Sequence, residues 1–173
     1  MNETPSILVH GPDFFQALAE KAAQTPRRRL NHNLHATQEA AVHRIFNAIQ
    51  PDSYVQPHRH LEASKDESVV VLQGRMGLVE FDGAGVVLSR HVVGPGMVAT
   101  IPAGAWHGWC CLAPDTVFFE AKAGPYTPLT AEERASFAPA EGEPDAPKAL
   151  ARLVELATCE ESPVGKTFAQ AAG

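Results

Sequence analysis

Hydrophobic and polar positions alternate along this chain in two rhythms. The first is helical and brief. In P-D-F-F-Q-A-L-A-E-K-A-A-Q, residues 12–24, Phe14, Leu18 and Lys21 or Ala22 fall on one stripe, and Thr25-Pro26 ends the pattern. From about residue 41 to 123 the period shortens to that of strands. The segments are A-V-H-R-I-F-N-A-I, S-Y-V-Q-P-H-R-H, E-S-V-V-V-L-Q-G, G-L-V-E-F-D, G-V-V-L-S-R-H-V-V, M-V-A-T-I-P, W-H-G-W-C-C-L and T-V-F-F-E-A-K-A. Turn signals separate them: Pro51-Asp52, Gln73-Gly74, Asp82-Gly83-Ala84-Gly85, Gly94-Pro95-Gly96, Pro102-Ala103-Gly104 and Ala113-Pro114-Asp115. Short strands at even spacing, with no helix between them, predict a β-sandwich or small barrel.

After Gly124 the strand pattern stops. F-A-P-A-E-G-E-P-D-A-P reads as irregular surface chain, and Leu150, Leu153, Val154 and Ala157 return to helical spacing near 148–157. The last dozen residues read as frayed. The expected organisation is therefore an N-terminal helix and extended arm packed on the barrel (1–40), a β-barrel (41–126) and a C-terminal extension with its helix (127–173). No internal repeat or second domain is visible.

Composition narrows the function classes. The chain has 173 residues, 45% hydrophobic and 20% charged, which suits one globular domain. A formal net charge of −6 argues against nucleic acid as a partner, because phosphate contacts need a basic face. No apolar run is long enough to span a membrane and the N-terminus lacks a signal-peptide pattern, so a cytoplasmic protein is expected. Cys110, Cys111 and Cys159 form no C-x-x-C motif and read as reduced thiols.

The chemistry gathers in Q-P-H-R-H-L-E-A-S-K-D-E-S. Residues i and i+2 of a strand share a face, so His58 and His60 can direct two imidazoles at one point while Arg59 points away. Neutral imidazole suits Zn, Fe, Ni and Cu, although H-x-H alone also fits histidines satisfied by hydrogen bonds. Glu67 opens a β-branched strand that a hairpin would return toward the pair. Downstream, G-M-V-A-T-I-P-A-G-A-W-H sets His107 at the start of another strand, after a Pro-x-Gly turn.

These residues resemble the two motifs of the cupin superfamily, G-x5-H-x-H-x3,4-E-x6-G and G-x5-P-x-G-x2-H-x3-N. The first matches at His58, His60, Glu67 and Gly74, and the second at Gly96, Pro102, Gly104 and His107. The chain departs from the pattern at three points. Asp52 stands for the opening glycine, six residues instead of three or four separate His60 from Glu67, and Cys111 replaces the closing asparagine. The longer loop makes Glu62 a rival ligand; Glu67 is preferred because it alone keeps the spacing to Gly74.

Beyond these motifs, R-R-R-L-N-H-N-L-H, H-R-I-F-N-A-I-Q-P-D-S-Y-V-Q-P-H-R-H, K-D-E-S-V-V-V-L-Q-G-R and F-F-E-A-K-A-G-P-Y-T-P-L resemble the WbuC-type cupin metalloproteins, which are associated with surface-polysaccharide gene clusters. The resemblance covers Arg27 to Pro128 and implies a cupin double-stranded β-helix, or jelly-roll barrel. It also implies one divalent metal ion (Fe, Zn, Ni, Mn or Co) held by His58, His60, Glu67 and His107, and a homodimer. It does not supply a reaction.

Such a donor set leaves two positions open on a six-coordinate ion, and none on a tetrahedral zinc unless the glutamate swings away. An open site can polarise an oxygen, lower the pKa of water, or bind O₂ when the metal is Fe(II). Parity places Trp109 and Cys111 on the inner face with His107, with Cys111 as a small core residue and Trp109 as a substrate-lining candidate. Trp106 is expected to pack at the barrel lip. His35 is a candidate acid or base, with Asn33 on its face if N-H-N-L-H is extended. Arg44 would suit an anionic substrate if it points inward, and a salt bridge on the outer face is the alternative. Tyr126 stands where the chain leaves the barrel, and Arg27–Arg29 reads as a solvated basic face. Three functions follow: a metal-dependent isomerase or epimerase acting on a small polar, sugar-like or carboxylate molecule; an Fe(II) dioxygenase; or a non-catalytic ligand-binding or sensing module.

Overall fold

A computed structural model of the chain describes residues 6–160 and 164–168. Helix α1 (Pro12–Ala23) leads into eight strands: β1 (Arg29–Asn33), β2 (Val42–Ile49), β3 (Glu67–Gln73), β4 (Met76–Phe81), β5 (Val87–Val93), β6 (Val98–Ile101), β7 (Trp106–Cys111) and β8 (Thr116–Ala123). Helix α2 (Ala146–Thr158) follows. None of these helices is long and apolar enough to cross a membrane.

The strands form two antiparallel sheets, one in the order β1-β2-β8-β3-β6 and the other β5-β4-β7. His58 adds a single bridge to His107 at the open side of β7. With β1 set aside as an extra edge, the chain passes back and forth between the sheets as an eight-segment jelly roll, the double-stranded β-helix that the motifs imply. Cross-strand register fixes which side chains face inward. Val69, Val71, Met76, Leu78, Val93, Ile101 and Trp109 fill the space between the sheets. Each helix covers an outer face. Leu18, Ala19 and Ala22 of α1 pack on Phe46, Ala48 and Val117, and Leu150, Leu153 and Leu156 of α2 pack on Val79, Phe81 and Cys110.

Two glycines show how tightly these layers meet. Gly74 turns the chain from β3 to β4 with φ of +77°, and a Cβ there would sit 2.2 Å from Thr116 Oγ1. At Gly77 a Cβ would stand 2.5 Å from the Ala157 methyl, so the absence of a side chain lets α2 lie against β4.

The structure departs from the sequence expectations in three places. S-Y-V-Q-P-H-R-H is not a strand. Pro57 lacks an N–H, and the segment pairs only through isolated bridges from His58, to His107 on one side and to Arg134 on the other. Conversely, polar R-L-N-H-N forms β1 because every one of its residues has a partner on β2, from Arg29↔Ile49 to Asn33↔Ile45. Within the frayed-looking end, the described residues 164–168 are docked: Phe168 is buried, and its N–H donates to Gly85 O at 2.7 Å. The rest of that end lies outside the described residues.

Candidate metal centre

The site begins with a backbone pair. His58 N–H donates to His107 O and His107 N–H to His58 O, both at 2.9 Å. Two residues that exchange both bonds project their side chains to the same face, so the imidazoles meet, with ring centroids 4.5 Å apart. Glu67, the first residue of β3, enters from the opposite sheet. One ligand atom from each of His58, Glu67 and His107 lies within 4.8 Å of the others.

Local hydrogen bonds set the tautomers. His58 Nδ1 donates to Gln56 O at 3.1 Å and His107 Nδ1 to Ala105 O at 3.0 Å. Each ring therefore carries its proton on Nδ1 and leaves a lone pair on Nε2, the arrangement that metal-binding histidines use. His107 Nε2 is fully buried without a hydrogen-bond partner and lies 3.4 Å from Glu67 Oε2. An orphaned acceptor beside a carboxylate costs stability unless a cation satisfies both, so the residues present fit a metal ion. Burial pushes the His58 pKa down to about 3 and keeps that ring neutral.

His60 is placed differently. Its Nε2 is 3.0 Å from Glu67 Oε1, and because a carboxylate only accepts, His60 is the donor. It is a hydrogen-bond partner of the ligand set and lies outside the three-residue cluster. Glu62 faces Ser64 and Lys65 on the loop, away from the cluster.

Three residues at this site carried no motif. Lys122 stands directly opposite Glu67 in the β3–β8 register; its Nζ donates to Glu67 Oε1 at 2.9 Å and forms an ion pair with Glu120 Oε1 at 2.7 Å. Asn47 donates to Glu120 Oε2 at 2.8 Å. Burial alone would raise the Glu67 pKa, but the hydrogen bond from His60 and the charge of Lys122 outweigh it and hold the carboxyl well below its ordinary range. Burial likewise opposes the Lys122 charge, yet Glu120 and Glu67 lift its pKa above the usual value. The readable signal was the two-residue alternation Phe118, Glu120, Lys122, which faces the interior from β8.

One cavity, about 300 Å³ and bounded by Leu78, Glu80, His91 and Ile101, reaches His107, and two others meet at His58. The inner one, about 210 Å³, is lined by Asn47, Glu67, Trp109, Phe118, Glu120 and Lys122 among others. An outer one of about 270 Å³ forms the mouth, with His60, Lys65, Tyr126 and Arg134 on its wall. Arg27, Arg29, His58 and Lys122 border both.

Trp109 thus lines the inner cavity and Tyr126 the mouth. Asn33, His35 and Arg44 line neither. Asn33 and Arg44 are exposed, and Arg44 Nη2 donates to Leu34 O. The inward residues of β2 are those of the opposite parity, Asn47 among them. His35 is buried, stacked on His43 at 4.0 Å with Nδ1 beside the Arg44 backbone, and does not share a face with Asn33, because the chain leaves the strand there. Trp106 packs on Phe137 and beneath Arg59 at the barrel edge. Cys110 and Cys111 are buried, and burial pushes the Cys110 thiol up to about 12. The basic run is not a uniformly solvated face. Arg28, at φ 56°, turns outward to Asp52, while Arg27 and Arg29 line the cavities.

Fold and donor set together describe a jelly-roll barrel with a possible metal centre between its sheets. A family model described as a domain of unknown function, DUF6016, matches residues 11–93. No curated protein matches the sequence significantly. Solved structures similar to this chain include KdgF from Halomonas sp. (17% identity, TM-score 0.47, covering 60% of this chain and 85% of that one). Another is a cupin superfamily protein from Desulfitobacterium hafniense (15% identity, TM-score 0.48, covering 61% and 86%). A third is a Lactobacillus farciminis oxalate decarboxylase in complex with formate (22% identity, TM-score 0.42), of which this chain spans only 25% while 50% of its own length is covered.

Proposed function

We propose that this chain is a mononuclear divalent-metal protein of the cupin type that binds or transforms a small polar molecule at an open coordination position. The sugar-like substrate and the place in surface-polysaccharide metabolism come from the WbuC-type resemblance, and the carboxylate alternative from arginine at the site, which here is Arg27 and Arg29 in place of the exposed Arg44. The observation that carries the reading is the meeting of two Nε2 lone pairs and a carboxylate in a buried pocket, one lone pair having no hydrogen-bond partner.

In this reading His58, Glu67 and His107 hold the ion. His60, now hydrogen-bonded to Glu67, would be the fourth ligand. A bound ion supplies Lewis acidity toward a substrate oxygen. The chain's own groups supply the rest. Lys122 fixes the Glu67 carboxylate and balances charge, Trp109 gives an apolar wall, and the mouth residues receive the polar end of the ligand. Donor type alone leaves the metal open among Fe, Zn, Ni, Mn and Co. Two copies of the chain are expected to pair.

The test is a metal titration of the purified protein and its variants by calorimetry. His107→Ala and Glu67→Ala are expected to weaken binding at least about 100-fold, since each removes a ligand, and Glu62→Ala to leave it unchanged. Metal binding that survives Glu67→Ala and fails in Glu62→Ala overturns the assignment of the carboxylate.

A further inference from the structure

The chain is acidic overall, with a net charge of −6, yet the mouth of the cavity is cationic. Arg27, Arg29, Lys65, Lys122 and Arg134 line it, against one carboxylate, Glu141. Lys65 is occupied by Pro125 O and Thr127 Oγ1, and Lys122 by Glu67 and Glu120. Arg27 and Arg29 spend their outer donors on Glu141. Arg27 Nε and Nη2 fork onto its two oxygens at 2.7 Å each, and Arg29 Nη2 reaches Oε2 at 2.6 Å.

We propose that Arg27 and Arg29 are the docking pair for the carboxylate of a small organic acid, and that Glu141 is a resident carboxylate which that ligand displaces. This rests on the preceding reading that the cavity beside His58 takes a small polar molecule.

Three features support it. The pair already holds a carboxylate in the two-pronged geometry that planar guanidinium groups favour. Arg29 does not need Glu141 to keep its posture. Its Nη1 donates to Ser53 Oγ at 3.1 Å and to Tyr54 O at 3.0 Å, and its side chain is only 14% exposed. Finally, Glu141 is carried on a separable strap. Residues 140–144 are irregular and lie between Pro139, whose carbonyl accepts from Tyr54 Oη, and the start of α2. Apart from the Ala146 N–H at the start of α2, which donates to Glu143 O at 3.0 Å, their described hydrogen bonds to parts of the chain outside the strap run through Glu141. Exchanging one carboxylate for another frees the strap without opening the core. Because both arginines border the inner cavity as well, an acid held there directs its other oxygens toward His58.

A resident competitor weakens apparent affinity by the fraction of molecules in which the pair is free. The test compares full-length wild type, Glu141→Ala, Glu141→Gln and Glu141→Ala/Arg29→Ala by calorimetric titration with gluconate, its neutral counterpart sorbitol, and glucose 6-phosphate. Circular dichroism confirms folding of each variant. Gluconate is expected to bind Glu141→Ala and Glu141→Gln at least about tenfold more tightly than wild type, sorbitol to bind none of them, and Arg29→Ala to remove the gain. Arg27→Ala on the exposed side serves the same purpose if Arg29→Ala does not fold. Equal gluconate affinity in wild type and Glu141→Ala, or no gluconate binding to either, overturns the proposal. So does a gain that survives both arginine substitutions. Tighter binding of glucose 6-phosphate than of gluconate overturns the assignment to a carboxylate. The gain is expected to persist in His107→Ala, so failure of the metal reading leaves this result standing and its own failure leaves the metal reading intact.

Discussion

The residues that matter here act through hydrogen atoms as much as through position. Ala105 O and Gln56 O decide that His107 and His58 present lone pairs, whereas Glu67 makes His60 a donor. His60→Ala is therefore expected to weaken metal binding less than His107→Ala, a ranking that the same titration reads directly. A larger loss for His60→Ala would overturn that ranking. Glu141 gives a pH prediction. Burial works to raise its pKa, but Arg27 and Arg29 override it and hold the carboxyl at about 2, against a usual 4.5. A depressed carboxylate contributes its stability in full above the unfolded value and loses it as pH falls through the folded one, so the strap contact is lost between about pH 4.5 and 2. Thermal melts of wild type minus Glu141→Ala across that window are expected to converge as pH falls. A difference that stays constant across the window would show that the contribution of Glu141 does not come from its depressed carboxylate. Arg27 is 64% exposed, so solvent screening makes the effect small.

At the level of elements, the two helices do different work. Helix α2 seals the outer face of β4, β5 and β7, and Leu153 is fully buried there. Leu153→Ala is expected to cost about 2–5 kcal/mol of stability, measured by urea unfolding with an unchanged m-value. A loss under about 1 kcal/mol would mean that α2 is not integral to the barrel. The strands β2 to β8 were legible as short apolar or β-branched runs between turn signals, with alternation clear in β3 and absent from β4 and β7, which are buried on both faces. Strand β1 was not, since R-L-N-H-N borrows its place from the edge of β2 and has no apolar alternation of its own. The segment around Pro57 misled for the opposite reason: its hydrophobicity resembles a strand, but proline breaks the ladder. His58, His60, Glu67 and His107 were readable as spaced motifs. Lys122, Glu120 and Asn47 were not, because β2-β8-β3 pairing brings them together. The contacts of Arg27 and Arg29 with Glu141 bridge 114 and 112 residues of sequence, which no local pattern records.

At the scale of the molecule, the described residues form a two-sheet sandwich with a charged cluster between the sheets near His58, Glu67 and Lys122. The space beside it is filled by apolar side chains such as Val69, Met76 and Trp109, so a charged cluster persists there only if its members satisfy one another or an ion does. Stability should therefore depend on metal. Binding to the folded state alone raises the melting temperature with metal concentration, and a chelator is expected to lower it in wild type but not in His107→Ala. The expected pairing of two copies is checked by sedimentation, with a species of twice the chain mass predicted and a monomer at all concentrations contradicting it.

The most direct test is anomalous X-ray diffraction from crystals of metal-loaded protein. The predicted result is one strong peak about 2.0–2.3 Å from His58 Nε2, His107 Nε2 and a Glu67 oxygen. Crystals grown from metal-containing protein that show no peak there, or show it elsewhere, would contradict the account.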